Sequence, residues 1–161
     1  MRFIADGMLG KLTRWLRLMG CDVEYLKSAK DKLLMDKARV EGKTLLTGDV
    51  ELYRQSILSG VNAFLIRDKD QAEQLAVLAK RFDLRLEIFP EKSRCPTCNS
   101  EIKSVTKDQI KDSIPINTFK SQNEFWICTG CSQIFWRGSH WMGISETLKR
   151  AKELYDKIQT E

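Results

Sequence analysis

The sequence predicts an α/β protein: a three-layer unit with a mainly parallel sheet over residues 1–90, then a small cysteine-bearing module with a terminal helix over residues 91–161. Three observations lead there. Short apolar runs alternate with segments of helical period as far as Phe89, the order that builds parallel sheets covered by helices on both faces. Composition changes at Pro90, where a charged linker, Glu91 to Arg94, leads into turn residues and two C-x-x-C pairs. A helical repeat resumes close to the C-terminus.

Taken in order, Arg2-Phe3-Ile4-Ala5 is a buried strand that ends on Asp6-Gly7. A helix follows from Met8 to Met19, with Leu9, Leu12, Leu16 and Met19 on one face and Lys11, Arg14 and Arg17 as a basic stripe beside it. Val23 to Leu26 is a strand, and Asp31 to Glu41 a helix with Leu34, Ala38 and Val40 inward, closed by Gly42. Thr44 to Thr47 is a second strong strand, followed by Gly48-Asp49 and a helix from Val50 to Leu58. Asn62 to Ile66 is a strand, Asp70 to Phe82 a helix, and Leu84 to Phe89 alternates as a last strand stopped by Pro90. The terminal helix runs from Ser145 to Ile158, with Ser145 as its N-cap and Glu146 at its positive end.

Charge narrows function little. There are 27 Lys and Arg against 22 Asp and Glu, a net +5 with pI near 9.0, and the excess is spread over both parts of the chain. That hints at a polyanionic partner without identifying one. No apolar run approaches the roughly 18 residues of a spanning helix, and the N-terminus lacks a signal-peptide core, so a cytoplasmic protein without a membrane partner is expected. No glycine-rich nucleotide loop, Ser/His/Asp set or Cys/His nucleophile pattern is present.

The carboxylates are more informative. Asp6, Asp49 and Asp68 each stand at or just beyond a strand end, and Asp31 opens the helix after the second strand. In parallel, adjacent strands these groups converge on one edge of the sheet, where ligands of open α/β folds collect. Carboxylates brought together repel, and a divalent cation relieves that cost; oxygen-only ligands select Mg²⁺ or Mn²⁺. Such a centre suits phosphodiester hydrolysis, with Lys11, Arg14 and Arg17 placed to neutralise a phosphate backbone. Capping is the competing reading of each aspartate, with Asp36 a rival to Asp31 and Asp70 to Asp68, and the stripe is equally a solvated face. Asp6 and Asp49, each directly after an apolar run, favour the metal site.

Cys95-Pro96-Thr97-Cys98 and Cys128-Thr129-Gly130-Cys131 are two knuckles 29 residues apart, with strand-forming stretches at Ile102 to Val105 and Glu124 to Ile127 between them. Four thiolates make a closed tetrahedral Zn²⁺ site, structural rather than catalytic, that holds together a module with little core; two disulfides are the alternative. Cys21 reads as a buried thiol. Beyond the second knuckle, Phe135-Trp136-Arg137-Gly138-Ser139-His140-Trp141 could stack on bases and contact phosphate through Arg137, His140 and Trp141. For the tryptophans, packing of the ribbon on the first unit is the stronger reading, and His140 serves equally well as a hydrogen-bonded surface histidine.

These motifs resemble the Mut-seven C-terminal RNase family, a branch of the PIN-like nucleases. Asp6-Gly7-Met8-Leu9-Gly10-Lys11-Leu12-Thr13-Arg14-Trp15-Leu16-Arg17 is similar to its opening motif, and Leu45-Leu46-Thr47-Gly48-Asp49 to its second acidic motif, where Arg or another residue usually replaces Gly48. The aromatic run ending in His140-Trp141 is similar to the end of its ribbon. The resemblance implies a PIN-like domain followed by a zinc ribbon over almost the whole chain, and it carries the acidic role to Asp6 and Asp49. Many members have paired acids where this chain has Lys30-Asp31, so Asp31 alone carries that role, while no sharp motif fixes Asp68. The expectation is a metal-dependent ribonuclease that hydrolyses RNA at a carboxylate-bound Mg²⁺ or Mn²⁺, with RNA, and with it the ribosome or RNA-processing proteins, as partners. A non-catalytic RNA- or ribosome-binding adaptor and a protein-interaction module of an RNA-processing assembly are the alternatives.

Overall fold

In the computed structural model, which describes residues 1–67 and 70–159, four short strands form one parallel sheet in the order β2-β1-β3-β4. They are β1 (Arg2–Ala5), β2 (Asp22–Tyr25), β3 (Thr44–Thr47) and β4 (Ala63–Leu65). Ile4 faces Glu24 on one side and Leu45 on the other, and Leu46 faces Phe64. The two inner strands are buried on both faces, which is why Phe3-Ile4-Ala5 and Leu45-Leu46 read as unbroken apolar runs.

Side-chain alternation divides the core in two. Phe3, Ala5 and Leu46 meet Leu9, Leu12 and Leu16 of the first helical segment, together with Leu75, Leu78 and Ala79 of α4 (Gln71–Phe82). That first segment is a 3-10 turn over Gly7–Leu9 that continues as α1 (Gly10–Leu18). Ile4 and Leu45 point the other way, onto Leu34 and Ala38 of α2 (Asp31–Glu41) and Leu52 of α3 (Val50–Leu58). Gly42 closes α2 in the left-handed region at φ 61°. Val40, expected inward, is 84% exposed. It lies two residues past Ala38, about 200° round the helix, on the opposite face.

Two other expectations change. Leu84 to Phe89 forms no strand. Its alternation is real, but Leu86 is buried in the α1–α4 layer with Leu84 and Ile88 beside it, so an extended segment packs on helices without a partner strand. The last helix, α7 (His140–Gln159), begins before Ser145, which is therefore inside the helix and not its cap. Gly143 hides that first turn from a periodicity reading, although Ile144 already belongs to the buried row with Leu148, Ala151 and Tyr155. That row packs chiefly on α4, returning the C-terminal helix to the first sheet's outer layer.

Between the two lies a second sheet, antiparallel, in the order β5-β6-β7: β5 (Ile102–Val105), β6 (Phe125–Cys128) and β7 (Ile134–Phe135). Its buried core is Cys95, Ile102, Trp126 and Cys128. The loop from β5 to β6 carries α5 (Lys107–Ile110) and α6 (Ile116–Ser121), each too short to stand without the ribbon beneath it. The chain is thus a mixed α/β fold with a four-stranded parallel sheet and, among the described residues, seven α-helices. None of the helices among the described residues is long and apolar enough to cross a membrane.

Candidate active site and cysteine centre

From β1 the chain goes to β2 on one side and from β2 back across to β3 on the other, so the sheet's order reverses between β1 and β3. Right-handed crossovers then require the helices to change face at this point, opening a crevice at the carboxyl ends of the two strands. Asp6 follows β1 and Thr47-Gly48-Asp49 closes and follows β3.

Asp6 is 5% exposed. Its Oδ1 accepts the Met8 N–H at 2.8 Å, and its Oδ2 accepts the Gly48 N–H at 3.1 Å and the Thr47 hydroxyl. The same Thr47 oxygen accepts the Asp49 N–H at 2.9 Å. Asp49 is exposed and caps α3, its Oδ1 taking the N–H groups of Glu51 at 2.7 Å and Leu52 at 3.1 Å. The two aspartates are therefore tied through one buried threonine. The sequence assigns Thr47 no role of its own: it is a hydroxyl closing an apolar strand within the run Leu45-Leu46-Thr47-Gly48-Asp49. Gly7 is fixed by close approach, since a Cβ there would stand 2.3 Å from the carbonyl oxygen of Lys27. At Gly48 a Cβ would meet only the Met8 side chain, at 3.6 Å.

The other candidates divide. Asp31 is exposed at the start of α2 and stands apart from the Asp6–Thr47–Asp49 chain among the described residues. Asp68 lies outside the described residues. Asp70 caps α4 through Oδ1 and binds Arg150 of α7 at 3.0 Å through Oδ2, a link between two helices. Lys11 and Arg14 are exposed, as expected. Arg17 is not: it is 6% exposed, and its guanidinium donates to Val23 O at 2.7 and 3.0 Å, Pro96 O at 3.0 Å and Thr97 O at 3.1 Å. The expected phosphate contact by Arg17 is corrected to a strut between β2 and the first knuckle.

An oxygen-only donor set of two carboxylates at adjoining strand ends, open to water on the Asp49 side, fits Mg²⁺ or Mn²⁺, which are held by one or two carboxylates with several waters. The cysteines offer a different set. The Sγ atoms of Cys95, Cys98, Cys128 and Cys131 all lie within 4.8 Å of one another, the one such group of metal-binding donors among the described residues. Cys95 and Cys131 are 3.7 Å apart and Cys98 and Cys128 3.3 Å. A disulfide requires about 2.05 Å; four thiolates about 2.3 Å from a zinc ion stand about 3.8 Å apart. The Cys128 sulfur also accepts the N–H groups of Gly130 and Cys131, the backbone turn of a metal knuckle. Burial pushes the Cys95 thiol up to about 12, whereas hydrogen bonds from Ser100 hold Cys98 down at about 6. Thiols this close reach a common thiolate state on a cation, so the four cysteines could hold a metal ion, with zinc-like chemistry. Cys21 is buried away from it, its thiol pushed up to about 11 by burial.

Past the second knuckle, Arg137 lies over the Trp141 ring at 5.1 Å and the Trp126 ring at 5.8 Å, with Glu124 3.9 Å away. His140, exposed, is the first residue of α7. Trp126 is buried in the ribbon core as packing predicts, while Trp136 remains 36% exposed.

Comparison with known proteins fits this arrangement. The chain is 32% identical over 115 residues to the human "Exonuclease mut-7 homolog", a match over 68% of this chain but 13% of that protein's length. No solved structure matches the chain. The Mut7-C RNAse domain family matches residues 1–148, which takes in both the Asp6–Asp49 crevice and the four cysteines, and the chain belongs to that family.

Proposed function

We propose that the chain is a metal-dependent ribonuclease of PIN-like type, in which residues 1–90 carry the cleavage site and residues 91–161 a zinc ribbon that helps to hold RNA. The observation that supports this most is the pairing of Asp6 and Asp49 at the switch point through Thr47. Asp6, fixed by three hydrogen bonds, sets the position of the centre, and Asp49 presents its carboxylate to solvent from the start of α3. A bound Mg²⁺ or Mn²⁺ supplies an activated water and charge stabilisation at the scissile phosphate. Asp31 and Asp68 are the further acidic residues of this reading on the sequence pattern alone. Lys11 and Arg14, exposed on α1 just beyond Asp6, receive the phosphates that flank the cut, and Arg137, His140 and Trp141 contact RNA from the ribbon. Zinc at Cys95, Cys98, Cys128 and Cys131 is structural. The relative's name includes exonuclease, which makes end-directed cleavage the first mode to test.

The test is cleavage of single-stranded and structured RNA, labelled at either end, with Mg²⁺ or Mn²⁺ added. Asp6→Asn and Asp49→Asn are expected to abolish cleavage. Turnover that is indifferent to the cation and to both substitutions overturns the site. RNA binding without turnover, retained in both variants, supports the adaptor reading instead.

A further inference from the structure

Beside the ribbon lies a pocket of about 520 Å³ that neither the acidic crevice nor the cysteine centre uses. One wall is α6, through Thr118 and Ser121, with Gln122 just after it, from the insert between the knuckles; the other is Trp136, His140 and Trp141, where the chain leaves β7 and enters α7. Its size is within the range of about 300–1,000 Å³ that holds small ligands. Its lining combines ring faces with hydroxyl, amide and imidazole groups, and includes no carboxylate.

Trp136 is the feature that packing alone explains least. A third of it is exposed, yet its ring is held: the indole Nε1 lies 2.9 Å from where a Cβ of Gly138 would be, and Phe125 packs against it at 6.5 Å between ring centres. A ring fixed in advance and open on one face is a stacking platform, because little freedom is lost when a planar ligand settles on it. Arg137, next in the chain after Trp136, adds a cation held over the Trp141 ring of the lining, with exposed Glu124 3.9 Å from it.

We propose that this pocket binds one unpaired nucleobase of a single-stranded RNA, with the base stacked on Trp136, its edge met by Gln122 and Ser121, and the adjoining phosphate met by Arg137. The proposal rests on the reading of RNA as substrate and adds to it the place where a base outside the cleavage crevice is held. Uncharged donors and acceptors suit the edge of a base, and the chain's net charge of +5 suits the phosphate backbone beside it.

The test uses the full chain carrying Asp6→Asn, zinc-loaded and without added Mg²⁺ or Mn²⁺, so that binding is read without turnover. The probes are a fluorescein-labelled ten-nucleotide oligouridylate, the matching oligoadenylate, and the same backbone with abasic positions. Trp136→Ala is expected to weaken binding of the base-bearing probes about five- to a hundredfold and to leave the abasic probe unchanged. Ser121→Trp fills the pocket while keeping the platform, and is expected to do the same. Gln122→Ala is expected to change the ratio between the two homopolymers. Zinc content and thermal melting confirm that each variant is folded. Equal affinity of the parent and both pocket variants overturns the proposal, as does a parent that does not distinguish abasic from base-bearing probes. Loss of a protein partner in the same variants, with RNA affinity unchanged, overturns it in favour of a protein-binding face. Cleavage is measured separately in chains that retain Asp6, so failure here leaves the acidic site standing, and failure of the acidic site leaves this binding result intact.

Discussion

Arg17→Met separates two roles that a basic residue on α1 could have. The native side chain makes four hydrogen bonds to three carbonyl groups, one in β2 and two in the first knuckle, and it stands near Cys95 and Cys98. A zinc tetrathiolate carries two net negative charges, so with zinc on the proposed site the guanidinium would also be its counter-charge. Methionine fills much of the space and leaves those carbonyls without their donor. A hydrogen bond to a charged group contributes about 1.5–3 kcal/mol, and since the four are not independent we expect a loss of about 3 kcal/mol. For a chain of this size that lowers the melting temperature by about 6–12 °C. Zinc release to a chromophoric chelator should quicken in parallel, because the knuckle loses its anchor on α1. RNA affinity of the folded protein at 20 °C should be unchanged. The opposite result, a melting temperature within about 2 °C of the parent with a salt dependence of RNA binding reduced by about one phosphate, would place Arg17 on the nucleic acid and refute the strut.

Lys11→Gln and Arg14→Gln should show that second pattern: unchanged melting, with the slope of log affinity against log salt reduced by about one for each. Gly7→Ala should cost about 1–3 kcal/mol in denaturant unfolding, since its Cβ meets the Lys27 backbone, whereas Gly48→Ala should stay within about 1 kcal/mol of the parent. Zinc removal should abolish hydrogen-exchange protection of β5 and β6 while β1 and β3 stay protected, because two of the four buried residues of the ribbon core belong to the cysteine cluster proposed to hold it; equal loss in both sheets would show that they unfold as one unit.

What could be read in the sequence follows from how each pattern arises. The inner strands and α2, α3 and α4 are legible because burial on two faces leaves an unbroken apolar run, and burial on one helical stripe a period near 3.6 residues. Leu84 to Phe89 has the same alternation without a partner strand, and alternation reports burial on one side, not hydrogen bonding. Arg17 was misplaced by spacing. Each i, i+3 step drifts about 60° round a helix, so Arg17 is about 120° from Lys11 and only about 40° from Thr13, which is 1% exposed. The cysteine cluster was legible because ligand spacing is local chemistry, whereas α5, α6 and the pocket they help to form lie in an insert whose short helices depend on tertiary support.

At the crevice, capping and metal ligation entered as rival readings of Asp6 and Asp49, and the geometry makes them compatible. Both N–H groups that Asp49 caps fall on Oδ1, which leaves its other oxygen for a further partner. Asp6 receives hydrogen bonds on both oxygens, yet each carboxylate oxygen has two lone pairs, and the donors on it are two N–H groups and one hydroxyl. Capping does the work of orientation: it fixes the torsion of each carboxylate from the backbone of the element that follows, so neither must be ordered when a cation arrives. A substitution that kept the caps and removed the charge, Asp49→Asn, therefore tests ligation alone. Its amide oxygen still accepts the Glu51 and Leu52 N–H groups, so α3 should melt as in the parent while affinity for Mn²⁺ falls. If Mn²⁺ affinity is instead unchanged at unchanged stability, capping is the whole role of Asp49.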